Sequence, residues 1–420
     1  MTVRRIAVVE FGHSGHHADY LRYLVRGWPS LRRNGADLHV AVSSGFRKMH
    51  SDAFAEIAAG QSVGITVAEL DPEAEALYKR TPPQNAMPMS WAKPPGPPPD
   101  SHGRVRWDIA QNVAAAVGAD RLLLMELDPV LPVLAARCRS DVDVCGIWFR
   151  APIVVKEAET ADRHWALHQR ALARAAFGHP ELLRVFSLDP RVGEMVWLGP
   201  LNKKVTALPD PVIMPAPSTA SSRSAARARF AIPPERTAAL HFGQVSRRKD
   251  VASLLSAIER LTPDRRRRLS LLIAGPRVSS ESPNLEIELD RLRRLGVQIV
   301  SRPGFVAEEL AQALFEAADV VLVAYRRHIG MSGVLLRAAA HGRPVLSQRD
   351  GLMGHLVCRH RLGVTVDTCD RAALTGALSA MIDTDPRTTF DPTQARALAH
   401  RNDTAAFQKT LYRGLFEESE

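Results

Sequence analysis

Short apolar runs of strand length alternate with segments of helical period along almost the whole chain. "RIAVVEF" (5–11) is followed by Leu21, Leu24, Val25 and Trp28, whose i, i+3, i+4, i+7 spacing places them on one helix face. "ADLHVAVSS", "VGITVAEL", "RLLLMEL" (121–127), "VCGIWFR" (144–150), "LLRVFSL" (182–188) and "KKVTALPD" (203–210) continue the series, with helices predicted around 103–118, 130–139 and 157–178. Strands separated by helices pair in parallel, because the crossover returns the chain to the same end of the sheet. The pattern therefore predicts an α/β fold with a doubly wound parallel sheet.

The pattern occurs twice. "MPAPSTASSRSA", around 213–224, is low in bulky apolar residues and reads as a linker. After it, "TAALHFG", "LSLLIAG", "VQIVSR", "DVVLVAY" and "RPVLSQ" supply strands for a second sheet. A chain of 420 residues exceeds one ordinary core. The expected division is a Rossmann-like domain over 1–215, a second over 216–385, and C-terminal helices over 386–420 packing back toward the first. Between the early strands, 78–107 carries a proline-rich insertion with Met89 and Trp91. Proline removes backbone donors, so this stretch is expected to lie outside helix and sheet. It reads either as a surface loop or as a flap meeting an acceptor or a membrane surface.

The composition narrows the function classes. The apolar share of 45% is that of a globular protein. The formal charge of +10 is compatible with solvated basic faces such as "DRRRR" (264–268), and no nucleic-acid partner is expected. Cys138, Cys145, Cys358 and Cys369 form no C-x-x-C pair and are expected to be reduced and mostly buried. The first apolar run, 6–9, is too short for a signal peptide, and no window reaches a membrane-spanning length. A cytoplasmic protein follows, with membrane contact at most peripheral, at the inner face.

Three loops carry the chemistry expected where open α/β sheets bind ligands, beyond the carboxyl ends of strands. "FGHSGHHADY" (11–20) brings Gly12 and Gly15 close to a ligand and adds His13, His16 and His17, with Ser14 as a helix cap. It is not the G-x-G-x-x-G of a nicotinamide site, and three histidines without a Cys or carboxylate constellation do not suggest a metal. "LHFGQVSRRKDVASLLSAIERL" (240–261) places Gly243 at a strand end, then Arg247, Arg248 and Lys249 before a helix. Cations at a helix N-terminus are unfavourable unless an anion joins them, and a diphosphate would be such an anion. In "YRRHIGMSGVLLRAAAHGRPVLSQ" (325–348), Ser332 and Gly333 open a helix over 334–341 whose first amides suit a phosphate. Glu126 and Asp128 stand at the end of "LLLMELD" as spare carboxylates, with a capping or core role favoured for each.

In order and spacing, "FGQVSRRKDVASLLSAI", "LLIAGP", "VSRPGFVAEELAQALFEAADVVLVAY" and "MSGVLLRAAAHGRPVLSQRDGLMGHLV" resemble GT-B glycosyltransferases of family 4. The resemblance is strongest from about 236 to 382, and "GHHADYL", "FSLDP" and "LPDP" extend it weakly into the first half. It implies two Rossmann-like domains facing across a cleft, with a nucleotide-sugar on the second and an acceptor on the first. It implies no cofactor and no metal. By position, Lys249 would meet the donor diphosphate, with Gly243, Gln244 and Arg248 beside it. Gly304, Phe305 and Val306 would meet the base; Ser332, Gly333 and Val334 the distal phosphate; Gly12 and Gly15 the reacting centre. The family's two glutamates fall on Ile329 and Arg337, and arginine cannot accept a hydrogen bond from ribose as glutamate does. His328 stands one residue from the first of these positions.

The expected reaction is transfer of a hexosyl group from a nucleoside diphosphate sugar to an acceptor hydroxyl, with His16 or His13 orienting or deprotonating that hydroxyl. The resemblance implies retention at the anomeric carbon. The acceptor could be anionic or lipid-linked. The alternative is a catalytically silent GT-B protein serving as a binding or partner subunit, for which the two missing glutamates are the evidence. An epimerase of the same fold is a third option.

Overall fold

A computed structural model describes residues 3–417 apart from 13–16, 34, 82–100, 153–159, 247–248, 278–281 and 327; the side chains of 160–164 are also left aside. The chain forms two compact units, 1–211 with 404–420, and 212–403. Among the described residues, unit 1 holds the strands β1 (Arg5–Glu10), β2 (Asp37–Val42), β3 (Ile65–Glu69), β4 (Arg121–Leu124), β5 (Asp143–Trp148), β6 (Leu182–Ser187) and β7 (Val205–Ala207). Unit 2 holds β8 (Thr237–Phe242), β9 (Leu269–Gly275), β10 (Gln298–Pro303), β11 (Val320–Val323), β12 (Val345–Gln348) and β13 (Gly363–Val366).

Both sheets are parallel, in the orders β3-β2-β1-β4-β5-β6-β7 and β10-β9-β8-β11-β12-β13. Each order reverses direction once, between β1 and β4 and between β8 and β11. Helices cover both faces of such sheets, so the central strands are buried on both sides and read as unbroken apolar runs. In unit 2, successive residues of β8, β9 and β11 feed opposite faces. Leu240, Leu272, Val321 and Val323 enter one core; Ala239, Leu271, Ile273, Val320 and Leu322 enter the other.

The structure departs from the sequence reading in five places. β13 was not anticipated, because "GVTV" is a four-residue edge strand that is mostly half-buried. The linker expected around 213–224 ends early. Thr219 and Ser222 form a reciprocal capping box that starts the Ala220–Arg229 helix, and Arg223 and Arg227 of that helix bind Asp319. The segment over 386–420 does not act as one body. Pro392–Arg401 packs on the Gly333–Ala340 helix inside unit 2, and only Thr404–Phe416 joins unit 1. Of the cysteines, Cys145 is buried, Cys138 is half-buried, and Cys358 and Cys369 are exposed, so "mostly buried" fails. The insertion over 78–107 is helical at both ends, in Pro72–Arg80 and His102–Val117, because its prolines fall between them. Its centre, with Met89 and Trp91, lies outside the described residues. No described helix is long and apolar enough to cross a membrane.

Unit 1 is closed by its own two ends. Trp28, fully buried on the His17–Leu31 helix, packs 5.7 Å from Tyr412 and 6.1 Å from Phe416 of the last helix. Gln408 Nε2 donates to Tyr23 O at 2.6 Å, and the Tyr412 hydroxyl donates to Leu24 O. Replacing Trp28 by Ala should lower unit 1's stability by about 3–5 kcal/mol, the usual cost of emptying an aromatic core site, read by chemical denaturation. Asp210, buried, accepts from the Tyr20 hydroxyl at 2.5 Å. Burial pushes its carboxyl up to about 6, against the opposing pull of that hydrogen bond. Between the ordinary 3.8 and about 6 the folded chain keeps a proton that the unfolded chain releases, so stability falls as pH rises through that window. Asp210→Asn should flatten this part of the stability–pH curve, measured by denaturation at a series of pH values.

Candidate functional site

In unit 2 the described loop residues converge on one side chain, Tyr325, just beyond β11. Lys249 lies in the loop that connects β8 to the Val251–Glu259 helix, and it is buried. Its Nζ donates to Phe242 O at 2.7 Å and stands 5.3 Å from the centroid of the Tyr325 ring. The Tyr325 hydroxyl meets Ser332 Oγ at 3.2 Å, and the His328 ring lies 5.7 Å from the Tyr325 ring. Lys249, His328 and Ser332 therefore gather where the sheet order reverses between β8 and β11. Ligands of open α/β sheets bind at such a reversal.

This packing needs absent side chains. A Cβ on Gly243 would stand 2.5 Å from Lys249 Nζ, and one on Gly275 would stand 2.3 Å from Gly243 O. Gly275 lets the end of β9 approach the backbone that follows β8, and Gly243 leaves space for the ammonium.

The Gly333–Ala340 helix starts without a side-chain cap. Ser332 sits at the cap position, but its hydroxyl meets Tyr325 and makes no cap bond. The helix ladder begins with Leu335 N donating to Ser332 O at 2.9 Å, so the amides of Gly333 and Val334 come before it. An uncapped helix start with a buried ammonium nearby is a chemical setting for an anion. His328 is fixed by its neighbours: its N–H donates to Gln348 Oε1 at 3.1 Å, and its Nε2 lies 3.0 Å from Met331 O. Beneath the site, burial together with the Lys249 charge pulls buried His241 down to about 3, so that ring is neutral.

The remaining predicted residues fall into three groups. Gly304 and Phe305 are exposed, Phe305 strongly so, and Val306 packs against the same apolar core as Met331 and Val334. Gln244 is exposed. Arg337 lies against a pair of mutually packed rings, 5.5 Å from Phe242 and 5.2 Å from Phe315, and its Nη2 donates to Glu308 Oε1. Arg248 lies outside the described residues, as do His13, Gly15 and His16.

Unit 1 carries a different constellation at its own reversal between β1 and β4. Glu10, buried at the end of β1, accepts from Gly12 N at 2.6 Å through Oε1, and His17 Nδ1 lies 2.9 Å from Oε2. Just beyond β4, Glu126 takes a 2.7 Å hydrogen bond from Arg106, whose guanidinium stands 5.2 Å from the Phe11 ring and 5.4 Å from the Tyr78 ring. Burial holds Glu126 back from ionising, but Arg106 outweighs it and lowers its pKa. Asp128 accepts from Phe149 N at 2.9 Å and Arg150 N at 3.0 Å. Burial, then Glu126, push Asp128 up to about 6. Its bonds to two backbone amides agree with the structural role expected of it; Glu126 instead belongs to the charged cluster.

Tyr325, Glu10 and Arg106 were not among the expected residues. Tyr325 carried one signal, its place at the carboxyl end of "DVVLVAY". The Arg106–Glu126 pair spans 20 positions and had none. Among the described residues, no group of three or more His, Cys, Asp or Glu side chains could hold a metal.

Residues 236–384 match the family described as Glycosyl transferases group 1. A D-inositol 3-phosphate glycosyltransferase of Nocardioides is 31% identical over 174 residues, 39% of this chain and 38% of that protein. One from Streptomyces coelicolor is 28% identical over 46% of this chain and 45% of its own. The chain thus spans less than half the length of these relatives. Among solved structures, Anabaena HepE with UDP-glucose has a TM-score of 0.64 at 14% identity, covering 98% of this chain and 99% of HepE. Sucrose-phosphate synthase of Thermosynechococcus elongatus has 0.66 at 16%, covering 98% and 99%. At such identities the likeness is one of fold, the GT-B fold.

The Glu10–His17 pair gives a titration test. Burial is the largest influence on His17 and lowers its pKa, but Glu10's charge and hydrogen bond, with Glu126 behind them, raise it above 6.5 overall. The pair's stabilisation is therefore full below 6.5 and is lost as pH rises through the raised value. Glu10→Gln should move His17 downward, read by NMR titration, and should cost more stability at pH 6 than at pH 8.

Proposed function

We propose, from a chain whose residues 236–384 are a group 1 glycosyl transferase domain, that this protein moves a hexosyl group from a nucleoside diphosphate sugar to an acceptor hydroxyl. The observation that carries this reading is the meeting of Lys249 and Ser332 on Tyr325, beside the uncapped amides of Gly333 and Val334.

In this reaction the bond between the anomeric carbon and the diphosphate oxygen breaks, and its electron pair leaves with the nucleotide. The anomeric carbon then bonds to the acceptor oxygen, whose proton is lost. Negative charge grows on the diphosphate along this path, so fixed donors aimed at it favour the transition state over the ground state. Lys249, Arg248 and the Gly333 and Val334 amides are assigned that task, and His328 a place beside the sugar. Gly304, Phe305 and Val306 take the base. On unit 1, His13 and His16 are the assigned partners of the acceptor hydroxyl. Glu10 binds Gly12 and His17, the described residues that flank 13–16 in the sequence.

Retention at the anomeric carbon and independence from metal belong to the same proposal. UDP-glucose is the first donor to try, since HepE was solved with it. D-inositol 3-phosphate belongs in the acceptor panel, after the names of the curated relatives. The second reading, a GT-B protein that binds a donor without turning it over, is favoured by Arg337 and its ion pair with Glu308 at the position where the family resemblance places a glutamate.

The test is nucleotide release from a panel of UDP- and GDP-sugars with sugar-phosphate, polyol-phosphate and lipid-linked acceptors. Turnover should appear with one donor, persist in EDTA, and give a product of unchanged anomeric configuration by NMR. Lys249→Ala should lower kcat about 100-fold or more, the usual effect of losing one donor to a developing anion. Tight binding of a donor with no turnover under any acceptor would select the second reading, and no binding at all would reject both.

A further inference from the structure

The ion pair between Arg337 and Glu308 has an assignment of its own. We infer that Glu308 is the carboxylate that receives the ribose 2′- and 3′-hydroxyls of the donor nucleotide, and that Arg337 is its positioning residue. This rests on the donor reading above.

A nucleoside diphosphate has a fixed order of parts: base, ribose, diphosphate. With the diphosphate at Gly333 and Val334 and the base at Gly304, Phe305 and Val306, the ribose must fall in the interval between these loops. Arg337 lies one helical turn beyond Gly333 on the same face. Glu308 opens the Glu308–Ala317 helix two residues after Val306. Val306 and Val334 pack against one apolar core, and the guanidinium of Arg337 bonds directly to Glu308. The carboxylate thus occupies the stretch that a ribose would cross.

The chemistry agrees with the placement. A vicinal diol offers two O–H donors and needs acceptors, which a guanidinium cannot supply and a carboxylate can. The Glu308 side chain is 51% exposed, open to a ligand. Among the described residues its side-chain bonds both end on Oε1, one from Arg337 and one from Gln312 Nε2 at 3.4 Å. Arg337 cannot swing with its partner, because Phe242 and Phe315 hold its guanidinium at 5.5 and 5.2 Å. A planar cation held against a pair of rings keeps the acidic group in one orientation.

The experiment compares the binding of UDP, GDP and ADP with that of their 2′-deoxy and 2′,3′-dideoxy forms by calorimetry, for the full chain and three variants. The wild type should favour its preferred ribonucleotide over the dideoxy form by about 10-fold or more, the worth of hydrogen bonds to a charged acceptor. Glu308→Gln should weaken the ribonucleotide about 10-fold and leave the dideoxy form unchanged, so that the preference collapses. Arg337→Gln should reduce the preference in the same direction, whereas a purely structural role would weaken all forms alike. Lys249→Ala should weaken ribo and dideoxy forms equally, keeping their ratio. Thermal unfolding without nucleotide checks that each variant is folded. A ribo-to-dideoxy ratio that survives Glu308→Gln overturns this assignment alone, and so does a wild type that binds all forms equally. A wild type that binds no nucleoside diphosphate overturns the donor reading, and this inference with it.

Discussion

The buried ammonium of Lys249 is the constraint around which unit 2 is arranged. Taking a cation out of water costs several kcal/mol unless nearby groups replace its hydration. Here a backbone carbonyl, Phe242 O, and the face of Tyr325 share that task. Both come from the ends of the two strands that flank the reversal of the sheet, so the charge is fixed where those strands end. The same packing leaves Gly243 and Gly275 no room for a side chain. The ammonium fills the space beside Gly243, and Gly275 in turn lies against the Gly243 carbonyl.

The two units fill the same place in the sheet with different chemistry. In unit 1 the reversal collects carboxylates, Glu10 and Glu126, each matched by a cationic or titratable partner at 2.7–2.9 Å. In unit 2 it collects an ammonium, open amides and a neutral buried histidine. One setting suits work on protons and hydroxyls, the other suits work on phosphates. This division supports the assignment of acceptor and donor to different units.

Much of the architecture was legible because doubly buried parallel strands leave a strong mark: "RIAVVEF" and "LSLLIAG" have few other uses. β13 escaped because a four-residue edge strand needs no continuous apolar run. The Ala220–Arg229 helix escaped because its polar face of Ser and Arg resembles a linker until Asp319 is known to be its partner. At the site, Lys249 and Ser332 were legible from local logic, a cation and an open helix start after strands. Tyr325 was not, since an aromatic residue ending a strand reads as ordinary core. Glu10, Arg106 and Glu308 take their meaning from partners 7, 20 and 29 positions away, and no local spacing records such pairs.

The last helix bears on how the molecule is made. Thr404–Phe416 belongs to the unit that begins the chain, while 212–403 intervene. Domains fold in order as the ribosome delivers them, so the intervening unit can finish first although it is translated later. Until codon 416 has been read, the aromatic surface around Trp28 has no cover. During that interval the nascent polypeptide shows a greasy patch suited to a chaperone, and a premature stop near the end would leave it showing permanently.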